Sequence, residues 1–334
     1  MSAFFPPFRS RGWENARALG ESGPVIFRFR SHLLLAAVLV ATAFAATPAP
    51  SYTGPQAAGD LQAPPRNEAS GLAASRRNDD LLWTHDDSGG AEALYGVSTT
   101  GLLRATLRIA DVKSADWEDI ACVMLDGKAW LVIGDIGDND GRRKRTTVYF
   151  VEEPAVEASA SRRELSARPA AALRITYADG PRDCESLAID VRERALYLLS
   201  KRDLVPRLYR VALPASLARS EDATAEFVTT VPDLARPTGA DAFLAGLFEK
   251  GRARPCGMDI ATDGSAAVVV TYADVLLFPR ADGESWAAAF SRVPLRLPPH
   301  ALPQAEAVCF SRDGRAIFVA SEETRRFLRY ERQP

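Results

Sequence analysis

A four-residue sequence pattern occurs five times after residue 69. The pattern begins with small or acidic residues, continues with an apolar residue and ends with Ala or Cys. The copies are Ser70-Gly71-Leu72-Ala73, Glu118-Asp119-Ile120-Ala121, Glu185-Ser186-Leu187-Ala188, Met258-Asp259-Ile260-Ala261 and Glu306-Ala307-Val308-Cys309. Each copy opens a series of short runs of β-branched and aromatic residues that are separated by Gly, Asp or Pro. Such runs indicate strands bounded by turns, so the chain must fold as a repeated β-structure.

We number the repeats units 1 to 5 in chain order. Units 1 to 4 contain four predicted strands each, whereas unit 5 lacks its last strand. This pattern predicts an all-β fold, a β-propeller of five four-stranded blades closed by an N-terminal strand from residues 50–68, because a propeller must close to hide its edges. Six blades are the alternative, since extra length separates units 3 and 4. That extra length contains residues 240–250, whose apolar residues fall at helical spacing and favour a short helical insertion.

The N-terminal segment has the features of an export signal. Residues 33–43 form an uncharged apolar run that follows Arg28 and Arg30. Small residues suited to a signal-peptide cleavage site lie at its end, near Ala43–Ala46. We therefore predict an N-terminal extension and cleavable signal peptide in residues 1–45, a Pro/Ala-rich linker in 46–68 and one propeller domain in 69–334. The run is shorter than the roughly 20 residues that span a bilayer, and the alternative to a cleaved signal is an uncleaved N-terminal anchor. The expected product is secreted or periplasmic, without a transmembrane anchor after cleavage; whether residues 1–24 belong to the protein stays open.

The composition excludes some classes of partner. Hydrophobic residues make up 47% and charged residues 25%, as in folded globular proteins. The 41 basic and 43 acidic residues nearly balance, which argues against a nucleic-acid partner bound through a basic surface. Neither the Gly-x-Ser-x-Gly elbow nor a phosphate-binding loop occurs. We expect a monomer whose partner is a small molecule or a protein.

Acidic residues recur where the geometry of a propeller would bring them together. The first strand of each blade lines the channel, so that its start and the end of the second strand open on one face. Glu118, Glu185 and Glu306 share one repeat position at strand starts, and carboxylates around one channel mouth repel each other unless a cation or a proton lies among them. With Asp135 they form the candidate metal site, for Ca²⁺ or another divalent cation. The alternative is that these carboxylates only accept hydrogen bonds from backbone N–H groups.

Further polar residues are expected on the same face: Asp87, Asp119, Asp138, Lys201 and Asp259. Of these, Lys201 is basic and could neutralise the carboxylates. His85 stands beside Asp86 and Asp87 in a predicted turn and is a weak candidate for a general base. A lone histidine in a turn is more often only a polar residue.

The four cysteines fall into two groups. Cys184 and Cys256 precede the first strands of the neighbouring units 3 and 4 and are candidates for a disulfide in an oxidising compartment. Cys122 and Cys309 belong to units 2 and 5, which do not touch in a five-bladed ring. We expect these two to be buried free thiols.

Two segments carry a resemblance to a known group: Trp117-Glu118-Asp119-Ile120-Ala121 and Gly134-Asp135-Ile136-Gly137-Asp138-Asn139. With them, residues 69–330 resemble exported bacterial β-propeller proteins of uncharacterised function, described as YVTN/WD40-like or as related to phytase-like esterase propellers. Unit 4 departs most, with Cys256-Gly257-Met258 where other units have an acidic start. The resemblance implies a propeller fold and export, and it carries no catalytic residue to this chain.

Three functions are compatible with these observations. The one we favour is an exported module that binds a ligand or partner through the acidic channel mouth. The second is a metal-dependent hydrolase of phosphoester, ester or lactone substrates, in which the metal would activate water. The third is a structural propeller without a metal, in which the carboxylates only brace loops.

Overall fold

The computed structural model describes residues 50–64, 68–87, 89–157, 162–235 and 253–334. The predicted signal peptide and the predicted helical insertion at 240–250 lie outside these residues. Within the described ranges, no helix is long and apolar enough to cross a membrane.

Each unit is a sheet whose strands follow one another antiparallel from the first strand outwards. The first strands are β2 (Ala69–Ala74), β6 (Trp117–Leu125), β11 (Cys184–Asp190), β15 (Pro255–Ile260) and β19 (Ala305–Phe310). The second strands are β3 (Leu82–Asp86), β7 (Lys128–Asp135), β12 (Ala195–Ser200), β16 (Ala266–Thr271) and β20 (Ala316–Ser321). The third strands are β4 (Ala93–Val97), β8 (Thr146–Glu152), β13 (Arg207–Ala212), β17 (Val275–Pro279) and β21 (Arg326–Glu331). The fourth strands are β5 (Leu103–Ile109), β10 (Ala171–Tyr177), β14 (Glu221–Thr230), β18 (Leu295–Arg296) and β1 (Gln56–Asp60).

The fourth strand of unit 5 comes from the N-terminal side of the chain. β1 pairs antiparallel with β21, with Gln56 opposite Arg329. The pairing covers the edge that unit 5 would otherwise expose. On the other units, β9 (Arg163–Ala167) adds a parallel strand to β5, and β10 pairs parallel with β14.

The first strands form a closed ring. β2 lies beside β6, β6 beside β11, β11 beside β15, β15 beside β19, and β19 beside β2. The units therefore surround a common axis, which is the arrangement of a β-propeller. The prediction of an all-β protein of propeller type is confirmed.

Apolar side chains fill the space between neighbouring units. Five buried clusters occur in the described residues, one for each pair of adjacent units. Trp83 belongs to the cluster between units 1 and 2, and Phe318 to the cluster between units 5 and 1. Between units 3 and 4 a short helix, α1 (Trp286–Phe290), adds Trp286 and Phe290 to the core, and a 3₁₀ turn (Pro232–Ala235) adds Leu234. Burial of this surface, at about 25 cal/mol per Å², holds the units together without disulfide bonds.

Every first strand contains a β-bulge at the same place. One residue of each strand is left out of the pairing with the second strand: Ser70, Glu118, Glu185, Cys256 and Glu306. Bulges re-aim side chains, and here they do so once per unit. The register also corrects the sequence alignment of unit 4, because Cys256 rather than Met258 is the counterpart of Glu118. Gly257 explains the local departure, since a Cβ there would collide with the backbone oxygen of Glu306 on the neighbouring first strand.

Candidate functional site

The five bulged residues form the inner layer of the channel mouth, and all of them are buried. Carboxylate oxygens of Glu118 and Glu185 lie within 4.8 Å of each other. Oxygens of Glu185 and Glu306 and the Cys256 sulfur also lie within 4.8 Å of one another. The structure thus brings together the three glutamates that share a repeat position. It adds Cys256, which the sequence alignment had shifted.

A second layer comes from the turns between the second and third strands. The residue that directly follows each second strand occupies one equivalent position: Asp87, Ile136, Lys201, Tyr272 and Glu322. Lys201 and Tyr272 meet here, with the Lys201 Nζ 5.1 Å from the centre of the Tyr272 ring. Tyr272 was not a candidate from the sequence, because an aromatic residue in a turn carries no signal until the units are aligned by structure.

Lys201 neutralises one half of the mouth. Its side chain is 6% exposed; its Nζ donates to Glu185 Oε2 and lies 3.7 Å from Glu306 Oε1. Burial opposes the charged form, but the electrostatic effect of the neighbouring Cys256, Glu185 and Glu306 outweighs burial and raises the pKa of Lys201. The ammonium therefore stays charged. One positive charge cannot neutralise every carboxylate nearby, and burial raises the pKa of Glu185 to about 8 despite the lysine.

Glu118 occupies the other half of the mouth and lacks such a partner. It is 4% exposed and forms no salt bridge with a described residue, although the Lys201 charge acts on it from a distance. Its oxygens lie within 4.8 Å of those of Asp87 and Asp116, and also of those of Asp183 and Glu185. Burial, followed by the charges of Glu185 and Asp116, raises the pKa of Glu118 well above its usual range. A buried carboxylate in this position needs either a proton or a cation.

Asp116 and Asp183 belong to the site although the sequence did not single them out. Each stands two residues before a bulged glutamate, so the repeat register, once known, identifies them. Asp116 is half-buried, and burial together with the charge of Asp87 raises its pKa to about 6. Asp183 is held in place by the backbone N–H of Asp138 at 2.8 Å and by Arg202 Nε at 2.6 Å.

Glu322 extends the cluster towards unit 5. Burial and the neighbouring Glu306 raise the pKa of Glu322 to about 10. The mouth therefore holds more carboxyl groups than basic side chains. The carboxyl groups that no basic side chain neutralises are either protonated or able to bind a cation.

Gly137, the second glycine of the 134–139 motif, leaves room for two of the carboxyl groups of this cluster. A Cβ on Gly137 would overlap both the Glu118 Oε1 atom and the Asp116 carboxyl group. The turn after β7 therefore needs a bare Cα so that these two acids can lie side by side.

Two of the residues predicted on this face, Asp119 and Asp259, accept hydrogen bonds from backbone N–H groups instead. The Asp119 carboxylate accepts N–H groups from Ile120 and Leu187, both at 2.8 Å, and from Met258 at 3.1 Å. Asp259 accepts N–H groups from Ile260 and Phe310. Asp119 and Asp259 therefore follow the alternative to metal binding, in which the carboxylates only accept hydrogen bonds from backbone N–H groups.

The proposed ligand Asp135 requires a correction. Its carboxylate accepts the backbone N–H groups of Ala115 and Asp116 and forms a salt bridge of 2.7 Å with Arg143. It therefore positions Asp116 rather than joining the carboxylate cluster. Asp138 likewise accepts the N–H groups of Arg142 and Arg143 and braces its own turn. Sequence spacing could not separate these roles, because both residues belong to the same acidic segment at the end of β7 and in the turn that follows it.

His85 is also placed differently from the prediction. It lies in β3 rather than in a turn and is fully buried, with its Nδ1 2.8 Å from the backbone oxygen of Asp86 and its ring edge-on to Trp117. Burial lowers the pKa of His85. A buried neutral histidine packed on tryptophan is part of the core, so its role as a general base is not supported.

All four cysteines are free and buried. Cys184 packs in the core between units 2 and 3, whereas the Cys256 sulfur faces the Lys201 side of the mouth. The candidate Cys184–Cys256 disulfide is not formed, because Cys184 lies before the bulged position and packs in the core, whereas Cys256 is itself the bulged residue and faces the mouth.

No protein-family model matches the chain, and no curated protein matches it. Among solved structures, a gluconolactonase from Xanthomonas campestris is similar, with 14% identity over 78% of this chain and 71% of that chain and a TM-score of 0.42. A PQQ-bound aldose sugar dehydrogenase from Streptomyces coelicolor has 11% identity over 85% of this chain and 99% of that chain and a TM-score of 0.44. These similarities concern the overall fold and assign no residue or activity to this chain.

Proposed function

We propose that this protein is a five-bladed propeller that binds its ligand through a divalent cation held at the acidic channel mouth. The observation that carries the proposal is Glu118, a buried carboxylate whose oxygens lie within 4.8 Å of those of Asp87, Asp116, Asp183 and Glu185 and that forms no salt bridge with a described residue. Leaving a charge in that state is costly, and a cation removes the cost.

The donor set suits a hard cation. Two groups of oxygens share Glu118, namely Asp87–Asp116–Glu118 and Glu118–Asp183–Glu185, each with its ligand atoms within 4.8 Å. Ca²⁺ binds oxygens at about 2.3–2.6 Å, so two of its ligands lie at most about 5 Å apart. Because Ca²⁺ takes six to eight oxygens, positions remain for water and for oxygen atoms of a bound ligand.

The rim of the mouth favours an anionic ligand. Arg202, beside Asp183, and Arg143, beside Asp135, both lie next to the carboxylate cluster and are partly exposed. A ligand with a carboxylate, phosphate or polarised carbonyl oxygen would meet both the cation and these guanidinium groups. The functional proposal is therefore the binding of a small oxygen-rich ligand outside the cytoplasm, where export remains a prediction from the sequence.

A second candidate is a hydrolase of phosphoester, ester or lactone substrates. One observation favours it: Asp116 is half-buried at the mouth, and its pKa is raised to about 6. A carboxylate that titrates near neutral pH is suited to accept a proton from an attacking water. Turnover of a model phosphoester or lactone that depends on the added cation and is lost in Glu118→Gln would favour this candidate over a binding module.

Thermal unfolding tests the cation. We expect the midpoint of the protein in EDTA to rise on addition of excess Ca²⁺, Mg²⁺ or Mn²⁺, because a ligand that binds only the folded state stabilises it by about 2.7 kcal/mol at a hundred times its Kd. Glu118→Gln should abolish the rise, whereas Asp140→Asn, in the exposed turn nearby, should leave it intact. The same rise in wild type and Glu118→Gln would contradict the proposed site.

Gly137→Ala tests the shape of the same site. The new Cβ would push the Glu118 and Asp116 carboxyl groups apart, and we expect cation affinity to fall at least tenfold, equivalent to about 1.4 kcal/mol. The measurement is cation titration by calorimetry. Gly54→Ala is the matched control, since its Cβ would meet only Pro298 at 3.7 Å. Equal affinity in the two variants would show that the close approach of Gly137 does not matter.

A further inference from the structure

We propose that Lys201 determines which metals the mouth accepts: its ammonium occupies a Glu185–Cys256–Glu306 compartment that would otherwise bind a thiophilic metal such as Zn²⁺ or Cd²⁺. The proposal rests on the proposed function only in placing the hard cation in the Glu118 half. Glu185 borders both halves, whereas Cys256, Glu306 and the ammonium of Lys201 belong to the Lys201 half alone.

The compartment offers a mixed donor set. Carboxylate oxygens of Glu185 and Glu306 and the sulfur of Cys256 lie within 4.8 Å of one another, and all three residues are buried. Cysteine sulfur with carboxylate oxygen is a ligand set for zinc and its relatives, whereas Ca²⁺ and Mg²⁺ take oxygen alone. The Glu118 half has no sulfur, so the two halves differ in the metals they suit.

A cation is already seated in this compartment. Lys201 Nζ donates to Glu185 Oε2, lies 3.7 Å from Glu306 Oε1 and faces the ring of Tyr272. Two carboxylates and an aromatic face stabilise positive charge there. A metal ion would need the same oxygen lone pairs and would be repelled by the ammonium, so the two cations exclude each other.

Cys256 shows the consequence of this arrangement. Its sulfur lies 3.3 Å from the backbone oxygen of Arg254, to which the thiol donates. While the ammonium occupies the compartment, no metal competes with the proton for the sulfur. If the ammonium is removed, a metal can form a bond to the sulfur as the S–H bond breaks, and the proton passes to the buffer.

Cadmium alone is the probe, because a cadmium–thiolate bond has a charge-transfer absorption that oxygen ligands do not produce. We expect no such band in the wild type, one equivalent per chain in Lys201→Met and Lys201→Gln, and no band in Lys201→Met/Cys256→Ser. Cadmium affinity should rise at least a hundredfold in the single variants. Lys201→Arg, which keeps the charge, should behave as the wild type.

Three results would overturn the proposal. The first is a band in the wild type that Cys256→Ser removes, since Lys201 would then not exclude the metal. The second is a folded Lys201→Met protein that shows no band. The third is a Lys201→Met protein that stays unfolded both with and without cadmium, because a metal would then not replace the ammonium; a variant that folds only with cadmium would support the proposal. Calcium stabilisation of the wild type reports on the Glu118 half alone, so the two proposals can fail separately.

Discussion

Asp119→Ala is expected to lower the free energy of unfolding by about 3–5 kcal/mol, a large part of the total for a domain. The Asp119 carboxylate accepts N–H groups from Ile120, Leu187 and Met258, which lie on three different first strands. Each buried N–H left without an acceptor costs about 1–3 kcal/mol. Urea unfolding followed by tryptophan fluorescence would measure the loss.

Two further variants set the scale for this result. Asp119→Asn keeps one acceptor oxygen and should fall between the wild type and alanine. Asp140→Ala, in the exposed turn after β7, should change stability by less than about 0.5 kcal/mol. A loss below about 1 kcal/mol in Asp119→Ala would mean that this carboxylate does not tie the first strands together.

The second large effect is a fall in stability between pH 5 and pH 8 in the presence of EDTA. The pKa of Glu185 is raised to about 8 and that of Glu322 to about 10, mainly by burial, whereas an exposed glutamate titrates near 4.3. Across this interval the folded chain keeps protons that the unfolded chain has lost. Stability therefore falls as pH rises, by about 1.4 kcal/mol per pH unit for each such proton.

A divalent cation should reduce this slope, because it stabilises the ionised carboxylates of the folded state. The measurement is a series of urea midpoints at pH 5 to 8 with EDTA and with saturating Ca²⁺. Glu185→Gln and Glu322→Gln should each lower the slope in EDTA. Asp119 and Asp259, whose pKa values burial also raises, leave a slope that the cation does not change. A stability that rises with pH in EDTA would contradict this description of the mouth.

The repeat was readable from the sequence because strand and turn composition report local structure directly. The meeting of Glu118, Glu185 and Glu306 followed from their shared repeat position, since equivalent residues of a ring face one axis. Unit 4 was harder to read. Gly257 and Cys256 break the acidic pattern, and Met258-Asp259-Ile260 imitates it two residues later.

The remaining differences depend on contacts between residues far apart in sequence. Asp135 is engaged by Arg143 and two backbone N–H groups, and His85 is turned into the core against Trp117. Neither the contacts of Asp135 nor those of His85 can be predicted from the spacing of residues in the sequence. Asp183 joins the site through the bulge register and Tyr272 through its place directly after the second strand of unit 4, and neither feature has a sequence signature strong enough to be found in one chain. The signal peptide and the export of the chain stay predictions.

Calorimetric titration of Ca²⁺ into EDTA-treated protein tests the central claim most directly. We expect one cation to bind per chain in the wild type. Binding should be at least a hundredfold weaker in Glu118→Gln, which keeps the shape of the side chain but removes its charge. Asp140→Asn should bind as the wild type does. An absence of binding by Ca²⁺, Mg²⁺ and Mn²⁺, or binding that Glu118→Gln leaves unchanged, would contradict a cation site at the channel mouth.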